Sequence, residues 1–235
     1  MSDPTIATAI QIPVGGNTLN VGAGGTFDAT LASVIKLGPV VTTIFGGGGV
    51  AGPFNAFGEQ GNLYKNVGNP IAGNAADTTD DVLDGFVLPA GAFDIKGRGL
   101  LITAQGKFAT NGNNKRIKIW ANPTLAGSTT TAGVISGGTV SGVGSGVLLL
   151  DSGVLTDSNT GWSLLVNFFK YGAAGSNTQY YQGSVVHGTT HGGVNLPAFA
   201  TQTESAAMNI VITGSSGSSG ASDVVLNLFE VNASN

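Results

Sequence analysis

The chain has 235 residues, of which 39 are glycine, 9 are Lys or Arg and 13 are Asp or Glu, giving a net charge of -4. This balance argues against a nucleic-acid-binding surface, which needs clustered Lys and Arg. The absence of cysteine excludes disulfides, zinc-thiolate sites and cysteine nucleophiles. No run of about 18 apolar residues predicts a membrane-spanning helix. No Lys or Arg precedes Lys36, so we expect synthesis in the cytoplasm without a signal peptide.

Charged residues are scarce for a globular domain, in which about a quarter of the residues usually carry charge. A chain this poor in charge must cover its surface with neutral polar side chains or with copies of itself. Both solutions are typical of assembly proteins rather than of small-molecule enzymes.

The first 75 residues are dense in glycine and contain only short apolar pieces, at Ile6–Ile12, Leu19–Val21 and Val40–Phe45. One stretch, Ala29–Leu37, has apolar residues at helical spacing but is rich in β-branched residues, so a strand is equally plausible. Because glycine is costly to order, residues 1–75 are predicted to form an extended arm that orders against a partner. The alternative, that they are the first strands of one large β domain, stays open.

From residue 76 to residue 235 short apolar runs alternate with turn residues, which predicts an all-β fold, a jelly-roll β-sandwich. The predicted strands are Val82–Leu88, Gly99–Ala109, Lys115–Ala121, Ser136–Val140, Val147–Leu155, Trp162–Tyr171, Gln179–His187, Met208–Thr213 and Val224–Val231. In Gly99–Ala109 the even positions are apolar, and in Lys115–Ala121 Ile117 and Ile119 alternate with cations. Such alternation predicts a sheet with one solvated face.

Two later strands, Trp162–Tyr171 and Val224–Val231, are apolar at successive positions and so on both faces. With no helices predicted to cover them, another sheet or another subunit must do so. The predicted subunit interface comprises Trp162, Leu165, Phe169, Tyr171, Val225, Phe229 and Val231.

The passage Leu88–Lys115 combines Leu-Pro-Ala, Gly-Arg-Gly, an alternating strand and an Asn-rich turn that ends in lysine. It resembles the jelly-roll domains of virion structural proteins of tailed bacteriophages, of the capsid-decoration or head-fibre type. A Gly-Thr-Val-Ser-Gly element, a strand that opens with Gly161-Trp162 and a last strand Asp223–Val231 extend the resemblance over residues 77–235.

The resemblance implies a non-enzymatic virion protein that forms a homotrimer. Its N-terminal region would attach it to other virion proteins, above all the major capsid protein. The alternative is a receptor-binding module at a tail-fibre tip, which would bind surface glycan. A third interpretation is a depolymerase.

Two histidines, His187 and His191, have the spacing of a zinc motif, but Gly188 stands where a general base would be expected and glycines break the helix. They are predicted to be solvated loop residues, with a metal shared at a symmetry axis as the alternative. An acidic cluster suits calcium but lacks the spacing of a calcium loop, which favours a turn: Asp77, Asp80, Asp81 and Asp84.

Other patterns give no catalytic residue and no cofactor. The glycine-rich loops Gly142–Gly146 and Gly214–Gly220 lack the features of nucleotide-binding loops. Glu59, Glu204 and Glu230 are isolated, which disfavours a glycosidase pair.

Two surface features are also predicted from the sequence. Tyr180, Tyr181, Gln182 and Trp162 form either a sugar-binding patch or part of the core or an interface. Arg98, Arg116 and Lys118 form a polar contact strip. This strip is either a solvated face or the partner of acidic groups in Asp77–Asp84 of the same or a neighbouring subunit.

Overall fold

The structure, a computed structural model, describes residues 60–93 and 95–234. Every regular element in these ranges is a β-strand, and none of the described residues belongs to a helix that could span a membrane. The strands are β1 (Gln60–Gly73), β2 (Asp80–Leu88), β3 (Gly99–Phe108), β4 (Lys115–Ala121), β5 (Thr124–Ala126), β6 (Thr129–Thr131), β7 (Val134–Ser136), β8 (Thr139–Gly142), β9 (Val147–Asp151), β10 (Gly161–Lys170), β11 (Gln179–His187), β12 (Thr190–Ala200), β13 (Met208–Ser216) and β14 (Val224–Ser234).

The strands form two antiparallel sheets. The first has six strands in the order β1-β14-β3-β10-β11-β12. The second runs β5-β8-β2-β13-β4-β9, and β7 pairs with β2 and β6 with β7 at its side. The predicted fold class, an all-β sandwich of jelly-roll type, is confirmed.

The core lies between the sheets and follows the alternation of the sequence. Ile102 and Ala104 of β3 and Ile117 and Ile119 of β4 are fully buried in one cluster that also draws on β10 and β13. A smaller cluster lies on the second sheet, from Val82, Trp120, Ile135, Val140 and Val211. The one-sided burial predicted for β3 is therefore confirmed, whereas on β4 Trp120 buries part of the opposite face in the smaller cluster.

Strand β14 is interrupted by a β-bulge that changes which of its residues point inward. Leu226 pairs with Gly106 and Leu228 with Gln105, so Asn227 is the extra residue. Val224 and Leu226 before the bulge and the odd-numbered residues from Phe229 onward are all buried. The apolar pattern from Leu226 onward is therefore one buried face whose phase shifts by one residue, while Val225, paired with Lys107 on the opposite face, is buried as well.

The last part of the predicted arm belongs to the sandwich. Strand β1 pairs with β14 along most of its length, and its Leu63, Tyr64 and Ile71 pack against the core. The Tyr64 ring stacks on Phe86 at 5.5 Å. The sandwich therefore begins with β1, before the boundary between arm and sandwich that was predicted at residue 75. The remainder of the arm and the ambiguous stretch Ala29–Leu37 lie outside the described residues.

The structure also differs from several of the predicted strands. The strand predicted at Ser136–Val140 is two strands, β7 and β8, because Gly137 and Gly138 both take positive φ and turn the chain. The strand predicted at Val147–Leu155 ends at Asp151, where Gly153 with positive φ follows. Strand β12 was not predicted, since its Gly192, Gly193 and Pro197 are typical of a loop.

Candidate interaction surface

The outward face of the six-stranded sheet carries no charged side chain across the central parts of β3, β10 and β11. On β12 the described outward residue is Phe199, which is also uncharged. Outward residues of these strands align in rows across the sheet. Three rows mix amides, hydroxyls and aliphatic side chains: Leu101–Asn167–Gln182, Thr103–Leu165–Ser184 and Gln105–Ser163–Val186. We call these rows, together with the aromatic row below, the neutral face.

A fourth row is aromatic. Phe169, Tyr180 and Phe199 follow one another across β10, β11 and β12, with ring centroids 4.9 and 5.7 Å apart. Tyr171, just beyond β10, lies 5.2 Å from Phe199. Phe199 is 67% exposed and Tyr171 42% exposed, so two large rings meet solvent. We call these four residues the aromatic row.

Charge appears only at the margins of the described part of the neutral face. Lys107 is exposed at the end of β3. Glu230, opposite Thr103 on β14, pairs with Lys65 of β1 at 3.6 Å. A solvated surface normally intersperses charges of both signs, so this distribution distinguishes the neutral face from an ordinary sheet surface.

The structure divides the predicted subunit interface into two groups. Leu165, Phe169 and Tyr171 belong to the neutral face or its end, and Leu165 is 39% exposed. The other four residues, Trp162, Val225, Phe229 and Val231, are buried within the chain itself. For Phe229 and Val231 the reason is the bulge at Asn227, which turns them into the core. Trp162, Phe229 and Val231 point into the core and cannot form a subunit interface without unfolding, and Val225, on the outer face of β14, is covered within the chain.

The predicted aromatic sugar patch is divided in the same way. Tyr180 and Gln182 point outward, on the neutral face. Trp162 is in the core, and Tyr181 packs edge-on against Phe168 at 6.5 Å, where burial raises the pKa of its phenol. Phe199, the most exposed ring, was missed, although its apolar neighbours in Pro-Ala-Phe-Ala were the available signal.

The predicted contact strip contains two residues rather than three. Lys118 pairs with Asp80, a member of the predicted acidic cluster in the same chain. Arg116 pairs with Asp151, and this hydrogen bond raises the pKa of the guanidinium. Burial opposes ionisation of Asp151, but hydrogen bonds from Arg116 and Gly153 outweigh it and lower its pKa. Arg98 lies elsewhere, 3% exposed at the entrance of β3.

The four acidic residues of the predicted cluster do not converge on one point. Asp77 accepts hydrogen bonds from the backbone and hydroxyl of Thr79, which lower its pKa, and this is the geometry of a turn. Burial raises the pKa of Asp81, which accepts from the Ala75 amide. Within residues 60–93 and 95–234 no group of three or more metal-binding side chains comes together.

Asp84 is separate from its neighbours and buried between β1 and β2. Its carboxylate accepts hydrogen bonds from the Tyr64 hydroxyl at 2.8 Å, the Asn66 amide at 3.0 Å and the Gly85 backbone at 2.8 Å. It is 2% exposed, and burial raises its pKa despite these donors. Burial and the adjacent carboxylate also raise the pKa of Tyr64.

The two histidines are not shown to act together. His187 Nδ1 lies 2.8 Å from Asp157 Oδ2, close enough for an ion pair when the imidazole is protonated, although the two atoms do not meet at a hydrogen-bonding angle. His191 follows on β12, opposite Val186. A shared metal at a symmetry axis stays a prediction.

A buried ion pair that the sequence did not predict fixes the end of the sandwich beside the aromatic row. Lys170 Nζ lies 2.6 Å from each carboxylate oxygen of Glu204, and the residues are 0% and 4% exposed. Gln179 donates to Glu204 at 2.5 Å and to the carbonyl of Gln202 at 2.9 Å. The network ties the segment after β12 to the ends of β10 and β11.

Comparison with known proteins gives little. No protein-family model and no curated protein matches the chain. One solved structure, peanut lectin with a nine-residue peptide, superposes at a TM-score of 0.35 with 7% sequence identity, covering 74% of this chain and 90% of the lectin chain.

Proposed function

We propose that the chain is a non-enzymatic structural protein of a tailed-bacteriophage virion, a capsid-decoration or head-fibre protein. It assembles with copies of itself as a trimer. Its N-terminal region attaches it to other virion proteins, the major capsid protein first. The resemblance of Leu88–Lys115 to such proteins supports the viral assignment.

The neutral face is the observation that carries the adhesive role. Exposed aromatic rings and a half-exposed leucine beside amide and hydroxyl groups are poorly suited to permanent solvation. Large exposed apolar groups that lie together mark surfaces that meet another molecule. A protein whose work is adhesion needs such a surface and no reactive group.

The use of the acidic and basic side chains also supports a structural role. His187, Glu204 and Glu230, residues that could act as acid or base, are each engaged with an oppositely charged or titratable side chain of the same chain. These pairs stabilise loops and sheet margins. They lie apart, on different elements of the sandwich.

A second candidate function is receptor binding through surface glycan at a tail-fibre tip. The aromatic row beside the exposed amides of Asn167 and Gln182 favours it, since rings and amides together suit a neutral sugar. A glycan array probed with the intact protein distinguishes it from a purely structural role.

The test of the proposed function is localisation. Antibodies raised against the purified protein should label gradient-purified phage particles on the head in immunogold electron microscopy. Particles of a phage that lacks the gene should not be labelled. Labelling of the tail tip alone would favour the receptor-binding role. Absence of the protein from purified particles would contradict both.

A further inference from the structure

We propose that the neutral face is the surface through which copies of this chain meet, with the aromatic row and Leu165 as its main contacts. This inference rests on the self-association included in the proposed function and assigns it to one surface. The occupant is a second copy of this chain.

The size of the face fits such a contact. Its described part spans three strands about 4.8 Å apart and about ten residues at roughly 3.3 Å each, with Phe199 of β12 beside them, which gives about 500 Å² per copy. A stable interface of standard size buries about 800 Å² on each partner. Side-chain relief adds to the flat estimate, so the described part of the neutral face supplies more than half of one standard interface, and other surfaces complete the two contacts that each copy makes in a trimer.

Its composition follows the anatomy of protein interfaces. Such interfaces are depleted in Lys, Glu and Asp at the centre and enriched in aromatic residues, with a polar, solvated rim. Here Leu165 lies in the interior of the face and the rings lie together at one end of it, while Lys107 and the Lys65–Glu230 pair lie at other margins. The pairs Tyr171–Phe199 and Tyr180–Phe199 leave the Phe199 ring projecting, as an anchor residue does.

The chemistry of the face favours another copy over a charged partner. Asn167, Gln182 and Ser184 each offer both a donor and an acceptor, so surfaces of this kind can pair with one another. Without charge, two copies do not repel each other when their neutral faces approach. A strongly charged partner would find no counter-charge on the described part of this face and would lose its hydration there.

The neutral face offers substitutions that should leave the isolated chain folded. Phe199 and Leu165 are 67% and 39% exposed, so Phe199→Glu and Leu165→Glu add charge to positions that solvent already reaches. Val154→Glu is the matched control, because Val154 is 62% exposed and lies after β9, away from the neutral face. Circular dichroism and thermal unfolding establish that all variants fold.

Light scattering during size exclusion then gives the molar mass at micromolar concentration. We expect a multiple of 23.3 kDa for the wild type and for Val154→Glu, and a single-chain mass for folded Phe199→Glu and Leu165→Glu. A wild type of single-chain mass overturns the inference, and so do folded neutral-face variants that keep the wild-type mass.

Two further outcomes separate the alternatives. A monomeric wild type that binds sugars on a glycan array, with binding lost in Phe199→Glu, overturns the inference and assigns the face to glycan. A protein found on purified particles but monomeric in solution, with variants that load onto particles normally, overturns the inference and leaves the virion role intact.

Discussion

At the scale of single residues, Asp84 is the least expected side chain of the described core. In a chain with so few charges, a carboxylate 2% exposed is held by three uncharged donors. Burial disfavours the ionised form, and the folded state therefore binds a proton more tightly than the unfolded state does. The contribution of this group to the free energy of unfolding must then fall as the pH rises above the ordinary Asp pKa.

Asp84→Asn should remove this pH dependence. Its amide oxygen can still accept from Tyr64 and Gly85, while no charge forms. In urea unfolding at about pH 4.5 and about pH 7.5, the variant should gain stability relative to the wild type as the pH rises. Asp77→Asn is the control, because hydrogen bonds lower the pKa of Asp77 and its titration lies below this window. A difference between Asp84→Asn and wild type that does not change with pH would contradict the argument.

The Lys170–Glu204 pair makes a second prediction at this scale. Removing one partner leaves a buried charge alone and should cost about 3–5 kcal/mol of stability. Lys170→Met and Glu204→Leu together should cost less than either single change, since no charge is then left unpaired. Chemical denaturation of the four proteins of this cycle measures the coupling. Additive costs would show that the pair does not act as a unit.

At the scale of elements, the bulge in β14 decides which residues form the core. Deleting Asn227 removes only the extra residue, so Leu228 and Phe229 keep their partners on β3 and we expect folded protein. Deleting Asn227 and Leu228 together turns Phe229 and Val231 outward, and we expect insoluble or unfolded protein. Asn227→Ala keeps the chain length and removes hydrogen bonds to the Gly68 carbonyl and to Asn69 Oδ1, at a cost of about 1 kcal/mol. A soluble, cooperatively unfolding double deletion, or an unfolded single deletion, would contradict the assignment of the bulge.

The elements also show which strands can be predicted from sequence patterns alone. Strands β3, β4, β10 and β11 were predicted nearly to the residue, because alternation and flanking turn residues agree there. A period of two cannot predict an inserted residue, so β14 was misread as apolar on both faces. Strand β12 was missed because glycine and proline dominate its local composition, while its pairing with β11 is a long-range outcome of the fold.

The candidate site was predictable only in part for the same reasons. Leu165, Phe169 and Tyr171 follow from alternation along one strand. Tyr180 and Phe199 join them only once β11 and β12 are placed beside β10, and cross-strand register is not written in any single segment. Lys118 pairs with Asp80 and Arg116 with Asp151. These pairings likewise depend on which strands are neighbours.

At the scale of the whole molecule, the scarcity of charge is most pronounced on one surface, the neutral face. The described ion pairs lie in the second sheet, in loops or at the margin of the first sheet, and the described centre of the first sheet's outer face has none. This segregation gives the sandwich one surface suited to solvent and one suited to contact with another protein. We infer that the neutral face is buried when the protein is assembled.

A cryo-electron microscopy reconstruction of the purified wild-type assembly tests that claim most directly. We expect density of neighbouring copies against Phe199, Tyr171 and Leu165, with Lys107 and the Lys65–Glu230 pair at the edge of the contact. An assembly in which the neutral face points to solvent while copies meet through other surfaces would contradict it.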